Sequence, residues 1–497
     1  MAALDAFAHR LESGDLVGVL DPDKRTVLIK EAESYKWQLQ QSSQHDADKR
    51  EKTAERAVSA AVRQIESAVP LSIDAWDDLR AKVQGTPFAA DFNALVTQER
   101  EAQKVLRLPA GEQEQYVQQR EAALAQKGGT MVDRANLQRI RTAIDTNRKE
   151  LEQAPLLAAQ RLYGKQMEPL NLGDLLQAGG THRAAEIFAD RSVTLQAMAK
   201  QYGPSVRQRP LLPQEQSALV SMVEAAGPSQ ATQLFGALRA AIDDDDTYRA
   251  AMQQIAPDSP VKARAGLLAA AGKSITLQDN LIAGDVRVPS GKVAQTMLAG
   301  EALINRSKRQ KSEDGQARTL FAPPREQFAE AFSAVVGNLY RGRPAAQEGD
   351  LQAAYAYYTG KAAETGQLAD GGIDSKLAKE AATATLGDLV DFNGRGTVKA
   401  PLGMTADQFK TRMSERFAEL VTTEKLPASV LGFYSHYGAL NYGRDGTYVL
   451  TLGDAPVINP RTGRPVVIDL EPPPASGARY RSSVDLIPGQ PQEGGKR

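Results

Sequence analysis

Apolar residues recur at helical spacing along most of the chain. Between positions 51 and 69, Ala54, Ala57, Val58, Ala61, Val62, Ile65, Ala68 and Val69 form an i, i+3, i+4, i+7 stripe with charges opposite. That pattern predicts an amphipathic helix. Upstream, Asp21 followed by Pro22 reads as an N-cap with proline in the first helical position, and Leu28, Ala32, Tyr35 and Leu39 follow on one face. Further helices are predicted over 74–83, 112–126 and 132–163, the last broken near Pro155. This first third is rich in Gln, Glu, Arg and Lys. It reads as long helices with solvated outer faces and a narrow, Ala-rich seam.

The middle third has shorter helices and regular Pro/Gly punctuation. Helices are predicted over 214–226, ending at Gly227-Pro228, over 230–242, and from Ser259-Pro260 to Gly272. Short helices joined by tight turns suggest helical hairpins, without a fixed repeat period. Two longer helices follow, from Lys292 and from Arg325. Beyond Gly349, helices are predicted over 351–365, 375–386 and 405–421. The last opens on Thr405 and Gln408 as a capping box and carries the stripe Phe409, Met413, Phe417 and Leu420. The period then changes to two. A strand is predicted over 446–452, and two strands around a turn over 456–470. From Glu471 the chain is rich in Pro, Gly and Ser and reads as a flexible tail. The expected fold is mainly α: an elongated multi-domain helical protein with a small C-terminal β element. The expected divisions are a long-helix domain over 1–170, a helical-hairpin domain over 171–345, an α+β domain over 346–470 and the tail over 471–497.

Composition narrows the function classes. The 497 residues suggest roughly three domains. With 60 Lys+Arg against 61 Asp+Glu, the net charge of −1 excludes coating of nucleic acid by bulk charge. The chain has no cysteine, which excludes disulfides, thiolate metal sites and a cysteine nucleophile. The longest apolar runs, such as 265–271, fall far short of the ~20 residues of a transmembrane helix. The N-terminus lacks the basic and apolar regions of a signal peptide. The expectation from these features is a soluble protein.

Apparent motifs fail on spacing. Ala271-Gly272-Lys273-Ser274 resembles the end of a phosphate-binding loop, but Leu267 stands where the first glycine belongs, and a helix rather than a strand precedes it. Gly272 reads better as a helix C-cap. The run from Asp391 to Gly396 starts like a calcium loop, but Arg395 and Leu402 occupy ligand positions, so a Gly/Asn turn is expected. Asp243 to Asp246 reads as a charged loop. His9, His45, His182 and His436 are scattered. Glu-Ser, a mark of lytic transglycosylases, occurs at Glu12-Ser13, Glu33-Ser34 and Glu66-Ser67 without the accompanying turn. No catalytic, cofactor-binding or metal-binding residue is therefore assigned, and no small-molecule substrate or cofactor is expected.

Several ordered segments carry a resemblance. LESGDLVGVLDPDKRTVLIKEAE (11–33) and EREAQKVLRLPAGEQEQYVQQREAALA (99–125) resemble the internal virion, or ejection, proteins of tailed bacteriophages. AYYTGKAAETGQ (356–367), GDLVDFNGRG (387–396) and DGTYVLTLGDAPVINPRTGRPVVIDL (445–470) resemble the end of such proteins, including those fused to a transglycosylase domain. The missing transglycosylase signature implies a non-enzymatic member. The resemblance implies storage inside the virion, expulsion into the host periplasm and envelope, and oligomerisation into part of a genome conduit. Its implied partners are other copies, other ejection or head–tail proteins and, transiently, phage DNA. The alternatives are a virion-associated peptidoglycan-degrading enzyme and a static head or tail protein. The narrow seam over 54–69 favours self-association, the alternative being an intramolecular bundle over 1–170.

Overall fold

The computed structural model describes residues 2–13, 20–66, 71–128, 130–279, 284–314, 324–341, 343–366, 372–423, 426, 432, 436–444, 446–453 and 455–470. The protein is mainly α, with small antiparallel strand pairs. It divides into two compact units, Met1–Lys165 with Gln196–Arg207, and Gln166–Leu195 with Gln208–Arg497.

The first unit starts with α1 (Ala2–Glu12) and α2 (Pro22–Glu66). Asp21 caps α2 as expected, its side chain accepting the Asp23 N–H at 2.9 Å. No break separates the two predicted stretches of α2, which runs for 45 residues. At its start α1 packs alongside, burying Leu11 and Ala32, and Lys36 pairs with Asp5. At its end Ala54, Val58, Ala61 and Ile65 are buried against Leu79 and Val83 of α3 (Ile73–Val83) and Phe92 and Leu95 of α4 (Ala89–Leu106). The predicted stripe is thus covered from Ala54 to Ile65 by helices of the same chain, with Ala57 and Val62 half-buried at its border. Its last members, Ala68 and Val69, lie outside the described residues. Between the two anchored ends, residues 37–53 are exposed on every side.

The unit continues with α5 (Ala110–Lys127), α6 (Met131–Gln153) and α7 (Pro155–Tyr163). Thr130 and Asp133 form a capping box at the start of α6. Pro155 ends that helix where the sequence places the break. Gly164, at φ +68°, ends α7 in the left-handed conformation that glycine adopts without strain. Side chains cap the end of α4: Gln113 donates to Leu106 O and to Leu108 O just beyond the helix, and the Tyr202 hydroxyl to Leu106 O at 3.0 Å.

Helix α8 (Gly180–Tyr202) belongs to the second unit up to Leu195 and to the first beyond it; in the second unit the short helices α9 (Pro213–Ala225), α10 (Pro228–Ala241), α11 (Asp245–Ile255) and α12 (Pro260–Ala270) follow, three of them opened by proline. Longer helices α13 (Ser290–Asp314), α14 (Arg325–Val336), α15 (Pro344–Thr365) and α16 (Ser375–Leu386) complete one core from Leu170 to Leu386. At its centre α13 and α15 cross closely: a Cβ on Gly300 would lie 1.8 Å from Ala356 O, and one on Gly360 2.1 Å from Thr296 O. The polar crossing partners are satisfied on the helix edge, where Thr296 donates to Glu364.

Strands appear earlier than expected. An antiparallel hairpin, β1 (Ser274–Asp279) with β2 (Gly284–Pro289), precedes α13, and a second, β3 (Leu389–Asp391) with β4 (Thr397–Lys399), follows α16. A second core gathers α17 (Ala406–Thr423) and the sheet formed by β5 (Ala439–Arg444), β6 (Thr447–Leu452), β7 (Ala455–Pro456) and β8 (Val467–Asp469). β5 borders one edge of β6; β7 and β8 pair with successive parts of the other. The predicted capping box at α17 is present, with Gln408 accepting from Thr405 N and Thr405 from Gln408 N. The predicted tail lies outside the described residues. No helix among the described residues is long and apolar enough to cross a membrane.

Candidate functional site

A cleft of about 460 Å³ in the first unit is lined mainly by α4 and α6, with Ile65 of α2 and Arg161 of α7. Its apolar lining includes Ile65, Ala102, Leu106 and Ala143. Two held guanidiniums stand in its walls. At one end Arg139, its side chain only 10% exposed, donates to Glu99 at 3.1 Å and to Asn136 at 3.2 Å. Asn136 in turn donates to Glu101 at 2.9 Å, which also accepts from Tyr116 and Arg120. Burial opposes the charge of Glu101, but the Tyr116 and Asn136 hydrogen bonds and the two arginines outweigh it and hold the carboxyl below its ordinary range. Burial and that carboxylate push the Tyr116 hydroxyl up to about 12.

At the other end, the turn at Pro155 folds α7 back on α6. Arg161 thereby reaches Glu150 at 2.6 Å and the buried Asn147 at 2.5 Å. Both cleft carboxylates, Glu99 and Glu150, are thus ion-paired. The third cation of the cleft, Lys149, is exposed and has no counter-ion among the described residues. The arrangement suits holding a flat or apolar group between charged walls.

A second charged cluster lies in the second unit. Asp350 of α15 accepts from Arg264 of α12, from Tyr340 at 2.5 Å and from Lys399 of β4 at 3.5 Å. Burial alone would raise its pKa, but the two cations and the hydrogen bonds drive it far below the carboxylate range. This is an internal tie joining a helix hairpin to the β3–β4 hairpin. Deeper still, Arg191 of α8 is 1% exposed and pairs with Glu215 of α9 at 2.7 Å. Arg191 also donates to the carbonyls of Pro210 and Glu168, while Glu215 accepts the N–H groups of Leu170 and Leu212. Each charge is spent on loop backbone.

The motifs weighed in the sequence resolve into local structure. Gly272, at φ +59°, turns the chain out of α12 and into β1, so the order is helix, turn, strand, the reverse of a phosphate-binding loop. Asn393 and Gly394 form the turn between β3 and β4, both at positive φ. Asp244 is the N-cap of α11, accepting from the Thr247 N–H and hydroxyl at 2.7 Å, and Asp245 pairs with Arg239. His182 and Glu186 are an exposed pair 3.9 Å apart; His9 bonds Ser13; His45 is exposed; and His436 contacts Gly432 O. Among the described residues no three His, Asp or Glu are grouped to hold a metal ion. Glu12 and Glu33 are exposed on α1 and α2 and do not line the α4–α6 cleft; the side chain of Glu66 lies outside the described residues.

Sequence reading missed the cleft. Arg139 and Glu99 are 40 residues apart and share no local pattern. The one local signal was the Pro155 break, which brings Arg161 to Glu150. No protein-family model, curated protein or solved structure matches the chain.

Proposed function

We propose that the chain is a non-enzymatic internal virion protein of a tailed bacteriophage. In this reading it is stored in the capsid, expelled ahead of or with the genome, and self-associates in the host periplasm and envelope as part of a conduit for DNA. The observation that carries the reading is the ordered series of resembling segments, 11–33, 99–125, 356–367, 387–396 and 445–470. Physical features support it. Helices held largely by near neighbours in sequence refold quickly after passage through a narrow tail. The absence of cysteine removes crosslinks that would block that passage. A surface of mixed sign passes DNA without the salt-sensitive grip of a Lys/Arg wall.

The test compares full particles with particles emptied by triggered ejection, by gel and immunoblot. The chain is expected in the first and lost from the second. Retention in emptied particles would identify a static scaffold, and absence from both would end the virion reading. On a peptidoglycan zymogram the purified chain is expected to leave no clearing.

A further inference from the structure

The chain has two tryptophans, and one of them, Trp37, stands 61% exposed on the solvated stretch of α2. On the same face lie Glu33 and Gln41, one helical turn to either side and both exposed. Glu33 has no ion-pair partner among the described residues. The cleft between α4, α6 and α7 sits at the far end of the same helix, with Ile65 in its lining. It offers what an indole uses: an apolar lining, two held guanidiniums for stacking, and Gln103 and Glu150 as acceptors for the ring N–H. Its unmatched charge is the positive one of Lys149; that beside Trp37 is the negative one of Glu33.

Trp37 cannot reach the cleft of its own chain. Twenty-eight residues of continuous helix separate it from Ile65, about 42 Å at 1.5 Å per residue. The geometry points to a contact between copies, in which Trp37 of one copy enters the α4–α6–α7 cleft of the next and Glu33 meets Lys149. The two surfaces differ, so the contact is head-to-tail: each copy keeps a free tryptophan at one end and a free cleft at the other, and assembly proceeds to a ring or an open filament. This inference rests on the self-association in the proposed function and supplies the contact for it.

The experiment uses full-length protein and light scattering up to about 100 μM, where micromolar affinity gives mostly assembled protein. Trp37→Ala, and Ala143→Trp to fill the cleft, are each expected to weaken assembly about thirtyfold or more, as loss of an interface hot spot does. Because Ala143→Trp can disturb folding, a second pair keeps to exposed residues. Glu33→Lys and Lys149→Glu should each weaken assembly, and together restore it. The cysteine-free chain permits a direct readout: Gln41→Cys protein mixed with Gln153→Cys protein should yield a disulfide-linked pair, and neither alone should crosslink. Assembly that survives Trp37→Ala would place the interface elsewhere and overturn the contact while leaving self-association standing. Crosslinking of Gln41→Cys to itself would show a symmetric α2 contact and overturn it as well. A strict monomer throughout would remove both the contact and the conduit, whereas the particle comparison tests the virion assignment independently.

Discussion

Gly300 and Gly360 set how closely α13 and α15 approach, because at each a methyl group would overlap a carbonyl oxygen of the facing helix. Gly300→Ala is expected to cost about 1–3 kcal/mol, read as a lower midpoint in urea unfolding. Gly236 on α10 is the internal contrast, with nothing within 4 Å of its built Cβ. Gly236→Ala should instead stabilise by about 0.5–1 kcal/mol. Equal effects of the two would mean that the close crossing does not exist. The buried charges behave differently again. Glu215→Gln leaves the guanidinium of Arg191 buried opposite a neutral amide, and a loss of about 3–5 kcal/mol is expected. Asp350 brings pH into the picture. Its folded pKa is depressed, so its contribution is fully present above the unfolded value of about 3.9 and is lost as pH falls toward the folded one. The wild type should therefore weaken steeply below about pH 4. Asp350→Asn should be less stable at neutral pH and show a shallower loss over that acid range in pH-dependent denaturation.

At the scale of elements, helices marked by a long stripe or a cap were legible, and so was the strand over 446–452, which is β6, whereas the hairpins β1–β2 and β3–β4 were not. The stripe from Ala54 to Ile65, the stop at Pro155 and the Thr405–Gln408 cap each appear where the residues imply them. β1 buries only Ile275 and Leu277 and β3 only Val390, too few alternations to compete with neighbouring helical pattern. The cleft was illegible for a related reason: its walls come from α4, α6 and α7, and no spacing within one helix encodes their meeting. Helix α2 shows the limit of reading stability from pattern. Residues 37–53 have no packed face, and tertiary packing supplies most helical stability in proteins. Hydrogen exchange should therefore be markedly faster at amides 37–53 than at 54–65, where α3 and α4 cover the helix. Uniform protection along α2 of the free monomer would contradict the exposed stretch.

For the whole molecule, the division into two units carries a spectroscopic consequence. Both tryptophans belong to the first unit. Trp76 is half-buried with its ring edge-on to Phe92 at 6.0 Å, whereas Trp37 stands in solvent. Intrinsic indole emission therefore reports on one unit alone, while the helical circular dichroism signal comes from both. If the units melt separately, the two signals will give different midpoints on the same sample, with no label attached. Within the emission itself, Trp37 should supply the red-shifted component that iodide quenches, and Trp37→Phe should leave a bluer, poorly quenched spectrum from Trp76. A shift of the native protein toward that spectrum with rising concentration would then be an optical record of Trp37 leaving water.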